Sequence, residues 1–139
     1  MTNLTLKACA VFRHDRYATE TTGVVIDEAS QHYARCSVHI TPTLRNAKGA
    51  VMGGVLFTLA DLAFATAANS ECLEADSPLE WVTSSSSIEF LSQPKDNLLI
   101  AETECLKQGR TTCLYLIHIT DGLQRKVAVV SARGAKISQ

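Results

Sequence analysis

Apolar and polar positions change period several times along the chain, and each change marks an element. Leu4, Ala8, Val11 and Phe12 fall at helical spacing, which predicts a short amphipathic helix near the N-terminus. After Gly23, residues 24–27 are β-rich and end in the polar stretch 28–30. Ala34, Cys36, Val38 and Ile40 then alternate with Tyr33, Arg35, Ser37 and His39, so this region predicts a two-stranded hairpin with one face buried. Pro42, Asn46 and Gly49 make the following segment a loop. Residues 53–69 are apolar nearly all round and predict a long helix wrapped by protein on every side, ended by Asn69 and the polar stretch through Pro78. Four strands follow, over residues 81–91, 98–107, 111–120 and 126–136, with breaks at 93–97, 108–109 and 121–122. Asp121–Gly122 is a hairpin signal. In the third of these strands Cys113, Tyr115, Ile117 and Ile119 share the apolar face.

Helix, two strands, a long buried helix and four consecutive strands without crossover helices imply an antiparallel sheet and an α+β fold. The simplest packing is a strongly curved sheet around the apolar helix. The length of 139 residues suits one domain spanning 1–139. With 46% hydrophobic and 19% charged residues, the chain can build a core.

Charge excludes some functions. Lys plus Arg total 13 and Asp plus Glu 14, a net charge of -1, so no electrostatic footprint for nucleic acid or an anionic membrane is expected. The five Cys, at positions 9, 36, 72, 105 and 113, are odd in number and form no CxxC pair, which speaks against a disulfide framework or a zinc site. Scattered thiols suit a reducing cytoplasm. The start MTNLTLKACAVF lacks the pattern of a secretory signal. The longest apolar run, residues 51–68, falls short of the ~20 residues of a spanning helix. It also carries Asp61, whose insertion would cost roughly 2.5–3.5 kcal/mol.

Asp61 is the most informative residue. It is the only charge between Lys48 and Glu71, and no basic residue lies three or four positions from it. It is either a buried carboxylate paired from elsewhere in the chain or a functional group awaiting a substrate or water. Gly53 and Gly54 open the long helix. Two glycines there serve tight helix-on-sheet packing, or let a polarised carbonyl approach free N–H groups. No Gly-Lys-Ser/Thr follows, so the pair is not a P-loop.

The stretch NAKGAVMGGVLFTLADLAFATAAN resembles the signature of hotdog-fold acyl-CoA thioesterases, in the phenylacetic-acid-degradation (PaaI-type) branch of the 4-hydroxybenzoyl-CoA thioesterase superfamily. Strand order and lengths extend the resemblance over nearly the whole chain. It implies a hotdog fold and hydrolysis of an acyl-CoA to a carboxylic acid and free CoA, with no cofactor beyond the CoA of the substrate. By the resemblance, Asp61 attacks the thioester or activates water, and the Gly53 N–H polarises the thioester carbonyl. Asn46 places the water or the carbonyl, and Thr83 positions water, although the neighbouring run Ser84–Ser87 reads equally as a polar strand face. Met52 and Gly54 border the substrate; Met52 stands where relatives usually carry His, and a thioether cannot shuttle a proton. Arg110, with Lys107 nearby, sits at a strand turn where relatives place a base near the CoA phosphates, or is simply a solvated hairpin residue. An obligate homodimer is implied, often paired again into a homotetramer.

Three functions are open to a chain of this resemblance. Thioester hydrolysis leads, because a mere acyl-CoA-binding or sensing protein, the alternative, needs neither Asp61 nor Asn46. A hotdog dehydratase wants a His near the central helix, and none lies between His39 and His118. The four His show no metal-ligand spacing, and no GxSxG motif supports a serine hydrolase.

Overall fold

The computed structural model describes residues 1–137. The elements are α1 (Asn3–Phe12), β1 (Val25–Ser30), β2 (Tyr33–His39), α2 (Gly53–Ala68), α3 (Ser70–Glu74), β3 (Trp81–Phe90), β4 (Leu98–Gln108), β5 (Thr112–Asp121) and β6 (Lys126–Lys136). A π-type turn over Tyr17–Thr22 and a 3₁₀ turn over Pro42–Leu44 join them. The six strands form one antiparallel sheet in the order β1-β2-β4-β5-β6-β3. The predicted α+β hotdog arrangement is present: the sheet curves around α2, and α1 covers the β1 edge.

The alternation in β2 and β5 is realised. Ala34, Cys36 and Val38, and Cys113, Tyr115, Ile117 and Ile119, are all buried against the helix side. At about 25 cal/mol per Å² of apolar surface, such a face supplies most of the driving force that holds sheet to helix. The Phe64 and Tyr115 rings meet edge-on at 5.5 Å between centroids, which fixes the far half of α2 over β5.

Several boundaries differ from expectation. Polar residues 28–30 do not end the first strand. They pair with Tyr33–Arg35, and only Gln31 and His32 turn, His32 at φ 55. A register shift between Ile26 and Glu28 absorbs the polar residues into the edge strand. In α1 the buried positions are Thr5, Ala8 and Phe12, whereas Val11 is exposed. The stripe rotates toward Thr5 because its hydroxyl accepts the Ala29 N–H at 3.0 Å, satisfying a buried polar group on the sheet. After α2 the chain does not unravel into polar loop but turns at once into α3. Asn69 makes that joint. Its buried side chain accepts the N–H groups of Glu80 (3.0 Å) and Trp81 (2.9 Å) and donates to Ala65 O (2.9 Å).

Helix α2 is not wrapped on every side. Gly54, Phe57, Thr58, Asp61 and Ala65 form a stripe outside the core, three or four residues apart. Strand β3 is the edge of the sheet beside β6, and Val82–Ser87 are exposed along it. A register shift between Thr83 and Ser85 interrupts the β3–β6 ladder. Among the described residues no helix is long and apolar enough to cross a membrane.

Candidate active site

Asp61 projects from the open stripe of α2, so the expectation that it is buried is corrected: its carboxylate is exposed in the single chain. The apolar residues on either side of it in sequence face the core, and helical spacing carries position 61 outward. Its one hydrogen-bond partner among the described residues is the Thr83 hydroxyl, which donates to Oδ1 at 3.0 Å from the first turn of β3. Thr83 rather than the following serines therefore meets the carboxylate; Ser84 instead donates to the Arg133 carbonyl at 3.1 Å. One carboxylate oxygen is thus held in place and the other is left open.

Asp61 lines a cavity of about 500 Å³ together with Asp15, Arg16, Tyr17, Ala18, Phe57, Thr58 and Leu62. Asp15 was not singled out by the sequence. Burial raises its carboxyl above the ordinary value, the charge of Asp61 raises it further, and His14 opposes the rise. Asp15 therefore lies within electrostatic reach of Asp61, and both line one cavity.

The start of α2 is a separate assembly. Asn46 folds the preceding loop back on itself: its Oδ1 accepts the N–H groups of Lys48 (2.9 Å) and Ala50 (3.1 Å), and its own N–H donates to Ala50 O at 2.7 Å. The amide nitrogen of the side chain makes no hydrogen bond among the described residues. Met52 occupies the N-cap without a capping hydrogen bond and is 53% exposed. The first N–H groups of the helix consequently have no side-chain acceptor. Gly53 admits the Phe90 ring, whose Cζ lies 3.1 Å from where a β-carbon would stand, while Gly54 faces open space. Gly53 and Phe90 border a second cavity of about 390 Å³ with Leu56, Leu91, Pro94 and Val127.

The expected residues are thus brought into two groups. Asp61 and Thr83 meet at one cavity; Gly53 lies on another, behind the Asn46 loop and Met52. Along the helix Gly53 and Asp61 are about 12 Å apart at ~1.5 Å per residue. Arg110 joins neither group. It is exposed at the β4–β5 turn, which lies at the opposite end of α2, where the Gln108 amide donates to Ala68 O at 3.1 Å. Asp15, Tyr17 and Phe90 had no periodicity or motif to mark them. Proximity in the fold alone selects them.

The family model described as the thioesterase superfamily matches residues 48–128. The chain is 31% identical over 131 residues to the acyl-coenzyme A thioesterase PaaI of Escherichia coli (strain K12), across 94% of this chain and 89% of that one. The solved structure of the E. coli PaaI protein from the phenylacetic acid degradation operon is similar with a TM-score of 0.82 at 27% identity, covering 98% of this chain and 97% of that one. A hypothetical thioesterase of Streptococcus pneumoniae TIGR4, solved with coenzyme A, is similar with a TM-score of 0.79 at 25% identity, over 92% and 98% of the two chains.

Proposed function

The chain belongs to the thioesterase superfamily and is an acyl-CoA thioesterase, and we propose that Asp61 is its nucleophile or general base while the Gly53 N–H polarises the thioester carbonyl. The observation that carries this reading is the Asp61 carboxylate itself: oriented by Thr83 at 3.0 Å and open to a cavity of about 500 Å³. An oriented carboxylate with a free oxygen either attacks the acyl carbon or takes a proton from water as the water attacks. The carbonyl oxygen gains negative charge, which unpartnered N–H groups at a helix start stabilise. The C–S bond then breaks, CoA leaves as its thiol, and water supplies the hydroxyl of the released acid. Water is the only co-reactant this chemistry draws on.

The donor and the carboxylate of one site come from two copies of the chain in this reading. The attacking atom must lie about 3–3.5 Å from the acyl carbon, and Gly53 and Asp61 of one helix are too far apart for that. A two-fold dimer with the open α2 stripes antiparallel and the β3 edges adjacent sets Asn46 and Gly53 of one copy beside Asp61 and Thr83 of the other, twice over. The bare β3 edge and the uncovered stripe support this, since exposed edges and apolar stripes are normally covered. Gly54 leaves room for the ester and Met52 walls it. Arg110 is the cation proposed to meet the CoA phosphates from the surface.

A panel of aromatic and aliphatic acyl-CoAs, followed by free-thiol release, tests the assignment. Asp61→Asn is expected to lower kcat by roughly 10²–10⁴ on the best substrate with the fold intact by circular dichroism. Full activity of that variant removes Asp61 from the mechanism.

A further inference from the structure

The cavity at Asp61 contains a second carboxyl group, and the proposed reaction does not use it. Asp15 is set there by its backbone. Its N–H donates to Phe12 O at 2.9 Å, and its carbonyl accepts from the Thr19 N–H and hydroxyl at 2.9 and 3.0 Å. That pins the joint between α1 and the following turn and aims the residue at α2. The Asp15 carboxylate has no hydrogen bond or ion pair among the described residues. The adjacent cation, Arg16, is committed to Glu20 through two hydrogen bonds of 2.6 and 3.1 Å. The remaining walls, Tyr17, Ala18, Phe57, Thr58 and Leu62, carry no charge. A molecule entering this cavity therefore meets two negative charges among uncharged walls, and the one cation among the described residues of the lining, Arg16, is already paired with Glu20.

We propose that Asp15 is an electrostatic filter of the acyl site: its carboxylate, set beside that of Asp61 in one cavity, admits uncharged acyl groups and rejects those that carry a carboxylate of their own. The inference rests on the reading of Asp61 as the reacting carboxylate and names the substrate class of that site. A terminal carboxylate on the acyl group would come to rest among the two Asp side chains, where the cation of the lining is already bonded to Glu20. Like charges about 6 Å apart in a partly screened cavity discriminate by roughly 3- to 100-fold. Rejection of this kind is a repulsive element that sharpens selectivity without any new attractive contact. The phosphates of CoA escape the filter if the long neutral pantetheine arm carries them outside the cavity.

Pentanoyl-CoA and glutaryl-CoA are the test pair, because their acyl chains have the same number of carbons and differ in a terminal carboxylate. The quantity read is the ratio of kcat/KM for glutaryl-CoA to that for pentanoyl-CoA. The same ratio is also read from dissociation constants by calorimetry, which needs no turnover. Asp15→Asn is expected to raise the ratio about tenfold and Asp15→Glu to leave it low. Raising the salt concentration should narrow the discrimination of the unaltered protein, a measurement that needs no variant to fold. A lost structural role would depress both esters together and leave the ratio where it was. An unchanged ratio in Asp15→Asn, with both esters turned over, overturns the filter and leaves the hydrolase reading standing. A ratio that moves in binding while no ester is hydrolysed keeps the filter and overturns the hydrolase reading. If neither ester binds, both fall.

Discussion

Mixing two inactive variants puts the shared site to a direct test. Asp61→Ala removes the carboxylate. Asn46→Ala removes the acceptor for the Lys48 and Ala50 N–H groups, at 2.9 and 3.1 Å, and with it the shape of the loop that leads into Gly53. These hydrogen bonds lie at the exposed surface, so water takes over the freed donors and the cost should stay near ~1 kcal/mol each, too little to unfold the chain. Each variant alone should be inactive. The ~12 Å between Gly53 and Asp61 on one helix, set against an attack distance of about 3–3.5 Å, requires the two defects to fall in the same site when one copy of each variant pairs. A mixed dimer then contains one doubly defective site and one intact site. Random exchange at equal ratio makes half the dimers mixed, each with one working site of two, so about a quarter of the original activity should return. Free-thiol release reads the activity, and native mass spectrometry with one variant isotopically labelled confirms the exchange. Verified mixed dimers that stay inactive refute the shared site. Activity that returns without exchange refutes it equally.

Two further outcomes are expected. Met52→His should keep or raise kcat, because Met52 is exposed at the N-cap and makes no capping bond that the change would break; a collapse of rate in a folded variant shows that the thioether is an indispensable wall. Asp121 is fully buried, and burial pushes its carboxyl up, but the N–H groups of Lys95, Arg125 and Leu123, at 2.8–2.9 Å, outweigh this and hold it below the ordinary 3.8. A carboxyl so lowered binds fewer protons folded than unfolded, so its stabilisation is complete above about pH 4 and is lost as pH falls through the folded value. Asp121→Asn should therefore flatten the fall in Tm on the acid side, and an unchanged slope would refute the assignment.

The α+β class and the helix with the sheet around it were legible because period-two alternation in β2 and β5 and a continuous apolar run in α2 are strong signals. Asp61 was legible for the same reason: a charge stands out where everything near it is apolar. Its exposure was not legible. An apolar helix reads as wrapped by its own chain, and the sequence does not distinguish residues that face the core from Phe57 and Thr58, which in the proposed dimer face another copy. Asp15 escaped notice because it sits among Arg13, His14 and Arg16 in a polar stretch, where a carboxylate looks ordinary. Only the fold of the α1 joint onto α2 makes it a partner of Asp61. The strand at residues 28–30 was missed because an edge strand tolerates polar residues that an interior strand would not.

The register shift between Thr83 and Ser85 bears on how β3 serves both ends of α2. A regular strand turns alternate residues to opposite faces, and positions 83 and 90 are an odd number of steps apart, so an uninterrupted β3 would point one of them away from the helix. Yet Thr83 reaches Asp61 and Phe90 lies against Gly53, both on the helix side, and Ile88 packs on the core between them. The extra residue resets the parity of the strand. The serine run is therefore a phase adjustment as much as a polar surface. Its length, counted odd or even, keeps the hydroxyl on the carboxylate and the aromatic ring over the glycine at once, whereas exchanging one serine for another small polar residue leaves that count untouched.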